Sequence, residues 1–445
     1  MKLPQQLRPV RPQRAPWLVI VCLGVLGCSS YNSKTSGALS AYQSGRFGEA
    51  EKRFADTDVT DSPFLSGVEA GTVALTAGNW GAAVEHFTKA VREVEEDERQ
   101  GLLDPGGLGR GLASLAINEG AKAYRGEGYE RALLHASLGL AYLAQGQLGD
   151  LFVEVQLAGD LLAAEEKLYE TDYRAGGLAH LVSAIAYELR GEPDQAYIDW
   201  LALEEKGLAA ALAGPSLVRL ARRLNREDDL ARWLGAYGEP AAPPEDAAQV
   251  ILIAGIGLGP SKQEARLDLP TGNGLLSWAI PRYEQRSQAI GGLELRAGEL
   301  AASTVVVEDV GRVAEKNLED RIALLTARST GRAFAKRELS RSLEKEHGVA
   351  GALVGNIFSF LTERADLRTW STLPDSYQAA RILLPPGPAT LSVAGGVNVE
   401  ELGSFELTPG ETVFLLARTL GGRIYVHVIG GARVAGADRL PSETP

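Results

Sequence analysis

The chain has 445 residues and a formal net charge of −12, from 45 basic and 57 acidic side chains. Its length predicts two or three domains, and 45% hydrophobic residues is an ordinary globular composition. An acidic protein of this kind is a poor partner for nucleic acid or for broad electrostatic binding to anionic lipid.

The N-terminus has the form of a secretory signal. An apolar stretch runs from Trp17 to Gly27 and leads directly into Cys28. It is too short for a membrane-spanning helix, which needs about 20 residues. A basic leader without acids precedes it, and this order predicts a signal peptide over residues 1–27. The four leader cations are Lys2, Arg8, Arg11 and Arg14.

Val25-Leu-Gly-Cys28 resembles a bacterial lipobox, in which the cysteine is acylated and becomes the new N-terminus. We therefore expect lipidation at Cys28, a lipidated tether over 28–35, and stable anchoring by several acyl chains. Ser29 replaces the aspartate that would indicate inner-membrane retention, which favours the periplasmic face of the outer membrane. An ordinary signal peptide with an incidental cysteine is the alternative. The other cysteine, Cys22, leaves with the signal, so the mature chain has no free thiol.

A repeat follows the tether. Gly45-Arg-Phe-Gly-Glu-Ala-Glu-Lys-Arg-Phe54 returns 33 residues later as Gly78-Asn-Trp-Gly-Ala-Ala-Val-Glu-His-Phe87. This resembles the tetratricopeptide repeat, whose unit has about 34 residues. The glycine permits a sharp turn between two helices, and the aromatic and alanine positions share one helix face.

Weaker copies begin at Tyr129, Gly146 and Gly191, and a last helical pair is predicted over 217–234 with a break near Asn225. Residues 36–238 are therefore predicted to form an α-solenoid. The concave surface of such an array usually binds peptides or proteins. We expect it to bind an envelope protein; an inert spacer or a dimerisation element is the alternative.

A proline-rich linker over 239–247 precedes a region with a different pattern. Residues 248–430 are predicted to be a mixed α/β domain with an antiparallel sheet, and 431–445 a flexible tail. Residues 311–346 have helical periodicity, and the uncharged stretch 348–361 predicts a buried helix or, less well, membrane-surface contact. Predicted strands lie at 250–254, 304–308, 381–384, 389–393, 402–407, 412–416 and 424–428.

Two patterns were tested for chemistry and rejected. Gly255 to Lys262 lacks the Gly-Lys-Ser/Thr ending of a phosphate-binding loop, and its third dinucleotide-motif glycine is replaced by Pro260. The five histidines show no metal-ligand spacing. We therefore expect no cofactor, no metal and no catalytic activity.

Two further motifs resemble those of a family of uncharacterised bacterial lipoproteins with tetratricopeptide-like N-terminal helices. They are Gly257-x-x-Pro-x-Lys262-x-Glu264 and Ala365-Asp366-x-Arg368-x-Trp370-x-x-Leu-Pro374. The resemblance covers most of the mature chain but implies no established activity. It hints at a place near cell-wall synthesis and other envelope lipoproteins.

Asp366, Arg368 and Trp370 alternate, so an extended segment would place them on one face. We expect Asp366 and Arg368 to pair with Lys262 and Glu264, and Trp370 to pack beneath or stack on Arg368. This cluster is predicted to be a buried polar latch between a strand-to-helix region and the hairpins. A pocket for a peptide terminus or glycan is the alternative.

The resulting hypothesis is a membrane-anchored, non-catalytic scaffold for cell-envelope proteins, with the solenoid as its binding element. An alternative is an envelope enzyme acting on peptidoglycan or peptides, with Asp366 and Glu264 as acid and base and Lys262 as charge stabiliser. A subunit of a larger assembly is a third possibility. The sequence leaves the oligomeric state and the partner's identity open.

Overall fold

The computed structural model describes residues 30–103, 124–169, 175–271, 274–320 and 366–433. The signal sequence, Cys28, the segment 348–361 and most of the predicted tail lie outside these residues. The described N-terminal part is helical, and the C-terminal part is a mixed α/β region built largely from antiparallel strands. No helix in these ranges is both long and apolar enough to cross a membrane.

Eleven helices are described in the N-terminal region. They are α1 (Tyr31–Gln43), α2 (Phe47–Phe54), α3 (Thr57–Thr60), α4 (Pro63–Thr76), α5 (Trp80–Leu103), α6 (Gly128–Ala144), α7 (Leu148–Tyr169), α8 (Gly177–Arg190), α9 (Pro193–Glu205), α10 (Ala210–Arg223) and α11 (Glu227–Tyr237).

Helix α1 begins earlier than the predicted start of the helical region at residue 36. The Ser30 side chain accepts a hydrogen bond from the Ser33 amide and caps the helix. Tyr31 is buried in the main core. The second half of the predicted tether, 28–35, is therefore structured, because a cap and a buried ring hold it.

Glycines make the predicted turns between helices. Gly45, Gly78, Gly146 and Gly191 have φ angles of +78°, +77°, +72° and +76°. This left-handed conformation is accessible to glycine at little cost. Asn225 adopts it as well, with φ of +54°, at the predicted break between α10 and α11. The alanine and second aromatic positions of both sequence repeats are fully buried: Ala50, Phe54, Ala83 and Phe87.

The strands form two five-stranded sheets and one hairpin. The first sheet has the order β11-β10-β1-β7-β6, the second β12-β9-β8-β4-β5, and β2 pairs with β3. Their bounds are β1 (Ala248–Ile256), β2 (Ser261–Thr271), β3 (Gly274–Glu284), β4 (Glu294–Ala297), β5 (Leu300–Ser303), β6 (Val305–Asp309), β7 (Ser376–Leu384), β8 (Gly387–Gly395), β9 (Asn398–Leu407), β10 (Thr412–Leu420), β11 (Arg423–Ile429) and β12 (Ala432–Arg433).

The predicted strands fall in β1 and β6 to β11, and the sheets are largely antiparallel, as expected. One pair departs from this pattern, because β1 and β10 pair in parallel. The expectation that the segment after Gly257 leads into a helix is wrong: Lys262 and Glu264 lie on strand β2. Strands β2 to β5 were not predicted, and β12 lies in the predicted tail. Residues 310–320 are helical, in agreement with the predicted periodicity.

The first sheet is the middle layer of three. Strand β1 is buried on both faces. Val250 and Leu252 pack with Leu391 and Phe405 of the second sheet, in a core of their own. The opposite face of the first sheet, including Ile251, joins the core formed by the helices. The linker 239–247 thus connects two regions that share one hydrophobic core.

Candidate functional site

The two sequence motifs meet at a segment that crosses between the helices and the first sheet. We call residues 366–375 the strap. The Gly259 amide donates to the Leu373 carbonyl over 2.9 Å, and the Asp375 amide donates to the Ile256 carbonyl over 2.9 Å. Backbone hydrogen bonds therefore hold the second motif against the loop that carries the first.

Glu69 of α4 holds the middle of the strap. Its buried carboxylate accepts hydrogen bonds from the Ser371 amide (2.6 Å), the Ser371 hydroxyl (2.7 Å), the Thr372 amide (2.9 Å) and the Tyr31 hydroxyl (2.7 Å). Burial raises the pKa of Glu69, and these donors oppose the shift. One carboxylate thus joins α1, α4 and the strap.

Glu130 of α6 holds the preceding residues in the same way. It accepts hydrogen bonds from the Trp370 amide (2.9 Å), the Thr369 hydroxyl (3.2 Å), the Tyr124 hydroxyl (2.6 Å) and the Glu127 amide (2.9 Å). Burial, reinforced by the nearby charge of Glu127, raises the pKa of Glu130. Two helix carboxylates therefore satisfy three strap amides that would otherwise be buried without acceptors.

Lys262 is buried beside this network. Its Nζ donates to the Arg368 carbonyl over 3.2 Å and lies 3.4 Å from Oε1 of Glu127. The Tyr124 and Tyr283 rings lie 5.9 and 5.7 Å from Nζ. Burial opposes the lysine charge, but the surrounding acidic groups outweigh it and raise the pKa of Lys262. Lys262 is thus a buried cation whose Nζ contacts a backbone carbonyl and a carboxylate.

The strap contains Asp366, Arg368 and Trp370, but the contacts of these side chains differ from the prediction. Asp366 and Arg368 pair with each other, through distances of 2.9 and 2.7 Å. Burial raises the pKa of Asp366, but Arg368 outweighs it, so the net shift is downward. The Arg368 guanidinium lies over the Tyr124 ring, 5.5 Å from its centroid. The expected stacking on Trp370 is therefore replaced by a contact with a tyrosine.

Trp370 is buried instead against the helices. Its Nε1 donates to the Thr72 hydroxyl over 3.0 Å, and its ring packs against Phe87 at 6.1 Å. Glu264 is exposed on β2. Lys262 and Glu264 lie on the same face of β2, but Lys262 is buried against the helices and Glu264, two residues further along the strand, is exposed and does not join Asp366 in the cluster. The predicted pairing of Glu264 with the strap is wrong.

Strand β11 contacts the glycine turns of both tandem repeats. Tyr425 lies edge-on to Phe47 at 4.9 Å, and His427 lies edge-on to Trp80 at 5.2 Å. A Cβ atom at Gly45 would lie 2.5 Å from the Tyr425 hydroxyl, and one at Gly78 would lie 2.6 Å from the His427 ring. Two glycine turns that are 33 residues apart in the helical region thus contact two side chains that are two residues apart on β11.

The same strand binds the C-terminal ends of two helices. Nε2 of His427 donates to the Thr76 carbonyl over 2.9 Å, and Arg423 donates to the Ser44 carbonyl over 3.4 Å. Carbonyls at the C-terminal end of a helix receive no hydrogen bond from within the helix, and these two side chains supply a donor. These contacts could not be predicted from sequence, since nothing in a strand pattern identifies the helix ends that the strand will contact.

A third buried carboxylate joins β6 to α8. Glu308 accepts hydrogen bonds from the Gly176 amide (3.2 Å) and the Leu178 amide (3.0 Å). Burial raises the pKa of Glu308 to about 7, against the effect of these amides. A Cβ atom at Gly177 would lie 1.6 Å from the Val307 carbonyl, so only glycine permits this approach.

The cluster predicted from the motifs is thus a polar junction between the helices and the sheet. Partners within the chain engage the charged groups of Asp366, Arg368 and Lys262. The Trp370 ring packs against Phe87, and its Nε1 donates to Thr72. Within the described ranges, no group of three or more histidine, cysteine, aspartate or glutamate residues could hold a metal ion. The arrangement supports a structural role for these motif residues.

Glu69, Glu130 and Glu308 were missed by the sequence reading. A signal for Glu69 was present: it is the only charged residue in the otherwise apolar and small-residue helix α4. Such a residue is buried only if it has partners.

No protein-family model matches the chain, and no curated protein is similar to it.

Proposed function

We propose that this protein is a lipid-anchored, non-catalytic adaptor of the bacterial cell envelope, held by Cys28 at the periplasmic face of the outer membrane. The signal sequence and the lipobox resemblance support the anchor. The glycine turns and buried repeat positions support a tetratricopeptide-like array for the helices. The two motifs support membership of the lipoprotein family described above.

The binding surface that we propose differs from the concave surface expected from sequence. The chain's own sheet and strap contact α1, α2, α4 and α6, so that part of the array already has an intramolecular partner. By contrast, Val153 and Leu157 lie one turn apart on α7 and are 53% and 38% exposed. Ala164, two turns after Leu157, is exposed on the same side of the helix, with the exposed Asp160 between them.

The exposed apolar face of α7 is the observation that carries the adaptor proposal. Large apolar side chains clustered at a helix surface are typical of protein-interaction sites. We define the α7 face as Val153, Leu157 and Ala164. We propose that an envelope protein binds it with an apolar surface of its own.

Photo-crosslinking in the native envelope tests this proposal. A photoreactive residue is placed at Val153 or at Leu157 in the lipidated chain, with Asp228 on α11 as an exposed control position. We expect one discrete adduct at both α7 positions and none at Asp228, with the adduct reduced in a Cys28→Ala form. Equal adducts at all three positions, or none on α7, would contradict the proposal.

The geometry gives less support to the enzyme alternative. An acid–base pair must face one substrate from suitable distances. Glu264 is exposed on β2, whereas Asp366 is engaged by Arg368 in the strap. These two carboxylates do not form a shared site, so we do not propose them as catalytic residues.

A further inference from the structure

A small cavity lies between the helices and the first sheet, away from the polar network of Glu130 and Lys262. Its wall includes Thr72 and Thr76 of α4, Leu140 of α6, Tyr377 of β7 and Arg418 of β10. His427 of β11 is half-buried and stands at its edge. Pro374, the last residue of the second motif, also lines it.

Arg418 is the unusual member of this cavity. It is only 6% exposed. Its Nε donates to the Tyr42 hydroxyl over 3.0 Å, and its Nη2 donates to the Thr372 carbonyl over 3.0 Å. Both acceptors are neutral. Its Nη1 has no hydrogen-bond partner among the described residues.

Arg418 and Gly255 both belong to the cavity wall. A Cβ atom at Gly255 would lie only 3.2 Å from Nη1 and from Cδ of Arg418, so the Arg418 side chain packs closely against the Gly255 backbone. Other buried cations of this protein are matched by acids: Arg381 lies 2.9 Å from Glu188, and Lys262 lies 3.4 Å from Glu127.

A buried guanidinium cannot lose its charge by releasing a proton at ordinary pH. Burial of an unpaired charge is costly, and buried charges are normally paired. We propose that the cavity binds a small monovalent anion, either chloride or a short carboxylate, through Nη1 of Arg418. The single cation and the apolar wall at Leu140 favour one negative charge over a multiply charged ion such as sulfate.

The bound anion would stabilise the junction of α4 with the first sheet. Arg418 contacts α1 through Tyr42 and the strap through Thr372. Tyr42 in turn contacts Thr76 of α4 over 2.8 Å. Ligand binding to the folded state alone raises stability in a saturable manner.

Thermal unfolding of the full-length protein in detergent tests this inference. Sodium gluconate, whose anion is too large for the cavity, is replaced stepwise by sodium chloride, formate or acetate at constant ionic strength. We expect the Tm to rise and saturate, with chloride distinguished from the carboxylates by its own midpoint. Arg418→Met should lose this rise, and the exposed Arg423→Met control should keep it.

An identical Tm in gluconate and in all three replacement anions would overturn the inference, as would an undiminished rise in Arg418→Met. If Arg418→Met does not fold, crystals of the unmodified chain grown in bromide and in acetate replace it. An anomalous bromide peak or acetate density beside Nη1 supports the site. Water alone in both crystals overturns it.

Discussion

At the scale of single residues, three buried glutamates link the helices to the strap and to strand β6. Glu69 and Glu130 each accept four hydrogen bonds, and Glu308 accepts two from the start of α8. A carboxylate has enough lone pairs to accept several donors at once. Each one therefore connects backbone segments that no regular secondary structure pairs.

Glu69→Ala should be strongly destabilising. The change leaves the Ser371 and Thr372 amides buried without their acceptor, and the expected loss of unfolding free energy is about 3 kcal/mol. Denaturant unfolding followed by circular dichroism measures it. Glu205→Ala, at an exposed position on α9, is the matched control and should change stability by less than about 0.5 kcal/mol. Equal effects of the two changes would contradict the role given to Glu69.

Glu308 should make stability depend on pH. Its pKa is raised to about 7 in the folded protein, so the folded state holds this proton more tightly than the unfolded state does. The folded state therefore loses stability as pH rises from about 4.5 to about 7, by about 3 kcal/mol at most. Below that window the group is protonated in both states, and above it the group is ionised in both.

The matched variant is Glu308→Gln, which cannot ionise. The unfolding free energy of the wild type minus that of Glu308→Gln, measured between pH 4 and 8, should fall across this window and then level off. Using the difference cancels the contributions of Glu69 and Glu130, whose pKa values are also raised. A difference that is constant with pH would show that Glu308 ionises normally.

At the scale of elements, the repeat turns serve two purposes. They reverse the chain between helices, and because Gly45 and Gly78 have no side chain, Tyr425 and His427 of β11 can pack against them. The two purposes can be separated, because Gly146 and Gly191 have the same φ region but open space where a Cβ atom would lie.

Gly78→Ala should therefore cost more than Gly191→Ala. Both changes carry the left-handed backbone penalty of about 1 kcal/mol, and only Gly78→Ala adds a clash with the His427 ring. Unfolding free energies of the two variants measure the difference. His427→Ala combined with Gly78→Ala should recover part of the loss. Equal costs at the two glycines would show that β11 does not press on the turn.

The helix turns and several strands could be predicted from sequence because they depend on local patterns. Gly45 and Gly78 mark turns through backbone freedom, and alternation at residues 402–407 indicates a strand. The partners of Asp366, Arg368 and Trp370 could not be predicted in this way. Glu69 is about 300 residues from Ser371 in the chain, and spacing alone does not say that α4 lies beside the strap.

The parallel pairing of β1 with β10 was missed for a related reason. The two strands are separated in sequence by β2 to β9, so no hairpin turn indicates their pairing. Strands β2 and β3 were missed because Lys262, Glu264 and Arg266 make β2 polar. A strand with so many charges lacks the apolar alternation on which such predictions depend.

At the scale of the whole molecule, the helical region and the sheet region depend on each other. The first sheet is covered by the second sheet on one face and by the helices on the other. The strap, the three carboxylates and β11 cross between helices and strands. We infer that the chain is one cooperative unit in which the helices are held by the C-terminal sheet.

Native-state hydrogen exchange of the full-length protein, read by mass spectrometry, tests this claim most directly. We expect α4 and β10 to open with the same free energy and Glu69→Ala to lower both by a similar amount. If α4 opens at a clearly lower free energy than β10, and Glu69→Ala affects α4 alone, the helices and the sheet are independent units and the chain is not one cooperative unit.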